Sequence, residues 1–214
     1  MLMNTELSGL QPYFPELDGE KTNKLLALAE GYREWNAKVN LVSRTDLENL
    51  AERHLLHSLA LTLFLKFETF TEIMDLGTGG GFPGLPLAIM FPESNFLLVD
   101  SIGKKIRVVE DLAGRLNLKN VRVMNARAES VQETFDFVVT RAVAPAADLV
   151  KWTRGKFATH YSHSLKNGIL AWKGGDLQEE LKTIQKLRPR VFHLKDHLKE
   201  AFFETKQIVH IPMV

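Results

Sequence analysis

Asp75-Leu76-Gly77-Thr78-Gly79-Gly80-Gly81-Phe82-Pro83-Gly84 is the stretch on which the reading of the fold turns. The apolar residues Ile73 and Met74 lead into it, and a helical pattern over Leu85–Phe91 follows. An apolar run ending in glycines and then a helix period predicts a strand, a tight turn and a helix that starts beside it. Glycine lacks Cβ, so the backbone can turn sharply and approach a ligand closely at such a place.

The same alternation continues downstream. Further strands are predicted at Phe96–Val99, Val121–Met124, Phe135–Thr140 and Gly168–Lys173. Helices are predicted at Leu85–Phe91, Lys104–Asn117, Pro145–Tyr161 and Asp176–Leu187. Strands alternating with helices imply an α/β fold, a mostly parallel sheet covered on both faces. Arg190–Leu194 and Lys206–Ile211 read as two strands with no helix between them, which suits an antiparallel edge pair. Upstream, Leu25, Leu28, Ala29, Tyr32 and Trp35 recur at helix spacing within residues 18–37. Asn36–Ser43 reads as a polar turn. Thr45-Asp46-Leu47-Glu48 reads as a capping box opening a second helix to about Lys66. Residues 1–70 are thus expected to form a small helical N-terminal extension, and residues 71–214 the α/β domain.

Composition sets bounds on function. The chain has 214 residues, 45% apolar and 25% charged, an ordinary globular balance. No run approaches the ~20 apolar residues of a membrane span; Leu55–Phe67 is broken by His57, Ser58, Thr62 and Lys66. The N-terminus has no signal-peptide pattern, and a cytoplasmic location is expected. The absence of cysteine excludes disulfides, thiolate metal sites and a cysteine nucleophile. Net charge is only +1, yet residues 1–100 carry −7 and residues 101–214 carry +8. Such asymmetry hints at nucleic acid. Lys151–Lys173 holds five basic residues and no acid, either an interaction surface or a solvated face.

The glycine loop admits two readings. Asp75 with Gly77, Gly79 and Gly81 gives acid-x-G-x-G-x-G, the arrangement of methyltransferases. Gly79, Gly81 and Gly84 also satisfy G-x-G-x-x-G, the dinucleotide arrangement. Asp75 favours the first, because a carboxylate can face the ammonium end of S-adenosylmethionine and would repel a pyrophosphate. Asp100 ends the second strand 23 residues after Gly77. A carboxylate there can accept from both ribose hydroxyls in either cofactor class. Ala126-Arg127-Ala128-Glu129 follows the third strand, where a loop can meet an adenine edge. Thr78 and Ser101 adjoin these positions and complete the expected cofactor set.

The fourth strand narrows the chemistry. It ends Thr140-Arg141-Ala142-Val143-Ala144-Pro145, without the Asn/Asp-Pro-Pro-aromatic loop common among enzymes that methylate exocyclic amines. Without cysteine, C5 methylation of a pyrimidine through a thiolate adduct is disfavoured too. A ring nitrogen such as guanine N7 needs no general base, so positioning and a dry pocket would carry the rate. Arg141 is the strong donor on this rim, for cofactor, base or phosphate, and the candidate catalytic residue. Two other readings stay open: a nicotinamide-dependent oxidoreductase built on Gly79–Gly84, and a non-catalytic RNA-binding assembly factor on the same fold. His54 and His57 stand one helical turn apart, but no third ligand lies near, so no metal is expected.

The residues also carry a family resemblance. Val39-Asn40-Leu41, Arg53-His54, Asp75–Leu87, Asp100-Ser-Ile-Gly-Lys-Lys105, Arg127-Ala-Glu129, Thr140-Arg-Ala142 and Leu170-Ala-Trp-Lys-Gly174 occur in the order of the RsmG methyltransferases, also called glucose-inhibited division protein B. The chain resembles that family over roughly residues 32–211. The resemblance implies a Rossmann-like sheet, S-adenosylmethionine as cofactor and methylation of guanine N7 in 16S ribosomal RNA, naked or in the 30S subunit. It maps cofactor contacts onto Gly77, Phe82, Ala128, Glu129 and Arg141. It maps RNA-facing positions onto Asn40, His54, Lys104, Arg127 and Lys173, the last three expected to form one positive rim. Two positions depart from the family: His57 replaces a usual acid, and Lys206 an arginine.

Overall fold

The computed structural model describes residues 7–39, 41 and 43–214. Asn40 lies outside the described residues. Helix α1 (Gly19–Asn36) opens at Asp18, whose carboxylate accepts the Lys21 N–H at 2.8 Å. A second helical segment then runs as α2 (Arg44–Glu48), a π-helical turn (Ala51–Leu56), α3 (His57–Leu59) and a 3₁₀ turn (Ala60–Leu63). The expected helix is there, but it is neither regular nor capped at Thr45. Ser43 caps it instead: its hydroxyl accepts the Asp46 N–H at 3.1 Å and donates to the Asp46 carboxylate at 2.7 Å. The N-cap therefore stands two residues before Thr45.

The chain that follows alternates as β1 (Glu72–Leu76), α4 (Gly84–Met90), β2 (Asn95–Asp100), α5 (Gly103–Arg115), β3 (Val121–Asn125), β4 (Phe137–Arg141), α6 (Ala146–Trp152), β5 (Gly168–Gly174), α7 (Gln178–Lys182), β6 (Arg190–His193) and β7 (Lys206–Pro212). The sheet order is β3-β2-β1-β4-β5-β7-β6. The first five strands are parallel, and β7 runs antiparallel to both β5 and β6. This is the expected Rossmann-like sheet with an antiparallel edge. Strand order reverses between β1 and β4, so the crevice for a ligand opens at their C-terminal ends.

Side chains alternate between two buried layers, as period-two strands require. Ile73, Leu98, Phe137, Val139, Leu170 and Trp172 face α4, α5 and the N-terminal helices, in one cluster with Leu25, Leu28, Tyr32, Leu55 and Leu59. Met74, Leu76, Val99, Val138, Ile169 and Ala171 face α6 and the chain around α7. The N-terminal helices thus cover one face of the sheet, sharing its core. A buried bond ties them down: the Trp172 indole N–H donates to the His57 carbonyl at 2.6 Å.

The helix expected over Pro145–Tyr161 stops at Trp152. Gly155 takes φ +77, and Phe135 exchanges backbone bonds with Lys156 and Ala158, drawing that segment against the strand instead. The basic stretch Lys151–Lys173 begins within α6 and ends on β5. Within it Lys151, Arg154 and Lys166 are exposed, while Lys156 is buried with its ammonium on the Glu129 and Val131 carbonyls.

Trp172→Phe should leave the His57 carbonyl without its donor. The expected loss is about 1–3 kcal/mol of stability, read as a lower urea midpoint at unchanged slope. An unchanged midpoint would show that this bond does not anchor the helical segment.

Candidate active site

The C-terminal ends of β1, β2 and β4 surround a cavity of about 460 Å³. Gly77, Thr78, Gly79, Phe82, Asp100, Ser101, Ala128, Glu129 and Arg141 line it, as do His54 and Arg127. The structure therefore brings most of the expected cofactor set to one place. Asp75, Gly81, Lys104 and Lys173 do not line it.

The loop's shape comes from Asp75. Its parity on β1 turns it away from the cavity, toward the layer of α4 and α1. One oxygen accepts from the Thr78 hydroxyl at 2.6 Å and from the Gly84 N–H at 2.8 Å, while the other is buried without a partner. A Cβ on Gly84 would stand 2.6 Å from that carboxylate, so only glycine lets the helix start so close. Burial pushes the Asp75 carboxyl up to about 7. The expected meeting of Asp75 with a ligand's ammonium group is thus corrected: it is a fully buried brace that folds the loop onto α4.

Asp100 does reach the cavity. One carboxylate oxygen accepts the Gly79 N–H at 2.9 Å and the other the Ile102 N–H at 2.9 Å. Each oxygen keeps a further lone pair for a ligand hydroxyl. Gly79 takes φ +58, and a Cβ built there meets nothing nearer than the Gly77 carbonyl at 3.9 Å, leaving the space beside it open. Loop and carboxylate together form a cradle suited to a ribose.

Arg141 sits at the end of β4, just before Ala142, which is held at φ +56 in a conformation costly for a residue with Cβ. Its Nη2 donates to His54 Nδ1 at 2.8 Å, and its Nη1 to the Arg53 carbonyl at 3.4 Å. Its guanidinium lies 4.9 Å from the Phe82 ring centre. Phe82 is stacked by Tyr32 at 4.4 Å and packed by His54 at 4.7 Å. The Tyr32 hydroxyl donates to the Gly80 carbonyl at 2.7 Å. Burial first, then the Arg141 charge, pull His54 down to about 3, so the imidazole is neutral. Burial lowers Arg141 to about 10, which leaves it a cation at neutral pH.

The other basic candidates separate. Arg127 and Lys104 are exposed. Lys173 is not free: its ammonium pairs with Glu180 at 2.6 Å and donates to the Ala144 carbonyl at 2.6 Å. The expected rim of Lys104, Arg127 and Lys173 therefore loses one member, held inward between the start of α6 and α7. His57 packs against Phe202 and Phe203 and turns to the Arg53 backbone that Arg141 also contacts. The sequence reading missed Leu41, Gly80, Lys105, Val143 and Trp152 in the cavity wall. Lys105 was within reach of that reading, since it adjoins Lys104 at the start of α5. Nothing in the sequence marks Tyr32 as a loop brace, because a buried helical tyrosine reads simply as core.

With this geometry established, known proteins give a consistent comparison. The family model for GidB, rRNA small subunit methyltransferase G, matches residues 21–206. The ribosomal RNA small subunit methyltransferase G of Christiangramia forsetii is 48% identical over 95% of this chain and 96% of its own. That of Parabacteroides distasonis is 48% identical over 98% of this chain and 91% of its own. Among solved structures, a SAM-dependent O-methyltransferase from Thermotoga maritima has a TM-score of 0.59 at 15% identity, over 79% of this chain and 70% of its own. Fibrillarin from Aeropyrum pernix, with natively bound S-adenosyl-L-methionine, has a TM-score of 0.52 at 16% identity, over 73% of this chain and 74% of its own. These two likenesses concern the fold.

The Asp75 carboxyl gives the site a pH signature. An unfolded aspartate titrates near 4, and the folded one at about 7. Between those values the folded state holds a proton that the unfolded chain has released. The stability from this group is full below about pH 4 and is lost as pH rises to about 7. Asp75→Asn keeps a carbonyl acceptor and removes the titration. Its stability relative to wild type should rise over that window in urea titrations. Parallel curves would mean that Asp75 titrates as an ordinary carboxyl.

Proposed function

The chain belongs to the rRNA small subunit methyltransferase G family, and from that premise we propose that it methylates guanine N7 in small-subunit ribosomal RNA, with S-adenosylmethionine as donor. The observation that carries the N7 reading is the occupied imidazole. His54, the histidine in the cavity wall, has its Nδ1 committed to Arg141 and is no free general base. Guanine N7 carries an in-plane lone pair and no proton, so its methylation asks for none.

The residues present fit the cofactor. Asp100 would accept from the ribose hydroxyls, the turn at Ala128–Glu129 would meet the adenine, and the open space at Gly79 would admit the ligand's close approach. When bound, S-adenosylmethionine supplies an electrophilic methyl on a positively charged sulfur. Arg141 then orients the base. Guanine presents O6 beside N7 as a second acceptor, whereas adenine presents an amino group there. A fixed guanidinium donor on this rim therefore favours guanine. Lys104 and Arg127, exposed at the starts of the α5 and Ala128 turns, are assigned to phosphates of the RNA. The substrate is naked RNA or the 30S subunit, in the cytoplasm where ribosomes assemble. Among the described residues no helix is long and apolar enough to cross a membrane. The nicotinamide alternative falls with the family membership, since the relatives are named as methyltransferases.

Mapping the methylated atom in RNA from a strain lacking the activity tests the assignment; a methyl on any atom but guanine N7 would overturn it. Gly79→Val should abolish cofactor binding by calorimetry while the circular dichroism spectrum stays native, because a branched side chain would enter the cradle at a strained φ. Arg141→Ala should lower kcat on the order of 100-fold while changing RNA affinity far less. If it lost only salt-sensitive affinity, Arg141 would be a phosphate contact.

A further inference from the structure

Arg141 is an unusual half-buried cation. Among the described residues it makes no ion pair; its partners are an imidazole nitrogen, a carbonyl and an aromatic face. A carboxylate partner would hold the guanidinium and also cancel its field. A neutral acceptor holds it and leaves the charge available to whatever enters the cavity. Arginine has no acceptor, so His54 Nδ1 must be unprotonated and its proton must sit on Nε2.

We infer that His54 is a positioning residue for Arg141: its Nδ1, with the Arg53 carbonyl beside it, fixes the guanidinium over Phe82 so that the remaining donors face the substrate base. This rests on the reading of Arg141 as the group that orients guanine. It replaces the expected role of His54 as an RNA contact. Both acceptors come from the π-helical turn Ala51–Leu56, whose widened backbone presents the Arg53 carbonyl and the next side chain to the same guanidinium. The ring of His54 lies against Phe82, so the imidazole is itself wedged and has little freedom to swing away. The groups that bear on the imidazole are Arg141 and Arg53, which disfavour its protonation, Asp46, which favours it, and the titratable neighbour His57 one turn on.

The test uses His54→Phe, which keeps a ring on Phe82 and removes the acceptor, and His54→Asn, which keeps an acceptor close to the Nδ1 position. Phe should leave S-adenosylmethionine affinity by calorimetry nearly unchanged and lower kcat on ribosomal RNA by on the order of 10- to 100-fold. Asn should recover most of kcat. A rise confined to the RNA KM would make His54 an RNA contact and overturn the proposal, as would equal losses in both variants. A second readout needs neither cofactor nor RNA, nor a folded Phe variant. In the ¹⁵N spectrum of labelled wild-type protein, His54 should be the Nε2–H tautomer and stay neutral where ordinary histidines, with pKa about 6.5, are protonated. Arg141→Ala removes the nearby cation, so His54 should then protonate at higher pH. An unchanged titration, or the Nδ1–H tautomer, would overturn the contact. If wild-type protein fails to methylate ribosomal RNA, the functional reading fails, while this titration still decides the His54–Arg141 contact.

Discussion

The glycine loop hangs on one buried carboxyl. Asp75 sits on a buried stretch of strand, gathers the Thr78 hydroxyl and the Gly84 N–H onto a single oxygen, and so folds the seven residues of chain between β1 and α4. Burying an acid this way is costly, and the rise of its pKa to about 7 expresses that cost. In return the loop has one shape. Gly79 is delivered to Asp100 with its N–H on the carboxylate and its open side toward the cavity. Were the loop left to its glycines, its backbone freedom would have to be removed by the ligand at each binding event.

The N-terminal helices complete this arrangement. Phe82, in the middle of the loop, is the shared surface: Tyr32 from α1, His54 from the π-helical turn and Arg141 from β4 all pack on it. Tyr32 also takes the Gly80 carbonyl. The helices are in turn fixed to the sheet by the Trp172–His57 bond. The cavity wall is thus assembled from segments far apart in sequence, and its cation is set by residues that precede the first strand.

The legibility of the sequence follows from the range of the interactions. β1 to β5 and the glycine turn are local patterns, and so is Asp100, whose position at a strand end follows from the loop before it. The Asp75 brace was within reach too: on a two-residue period it shares a face with Ile73, which is core, and not with the crevice. Reading it as a ligand contact gave the carboxylate's charge priority over its parity. Other features depend on contacts between distant residues. Lys173 is neutralised by Glu180 on the next helical element, and the helix after β4 is cut short because Phe135 captures Lys156 and Ala158. The π-helical turn leaves no mark in a stripe of leucines that an α-helix would satisfy as well.

Charge shows most clearly why geometry has to be added to sequence. The second half of the chain is strongly basic, which points to nucleic acid. Yet in the densest basic stretch, Lys151–Lys173, one lysine is buried against carbonyls. Lys173 and Arg53 are paired with Glu180 and Asp46, so little of their field is left over. What distinguishes Arg141, Lys104 and Arg127 is that, among the described residues, no carboxylate pairs with them. Arg141 is held by neutral groups, and the other two are exposed to solvent around the same strand ends. A polyanion that approaches this edge meets cations whose charge is available, and the one that is also immobilised lines the cavity. Net charge alone cannot separate these cases; the identity of each cation's partner does.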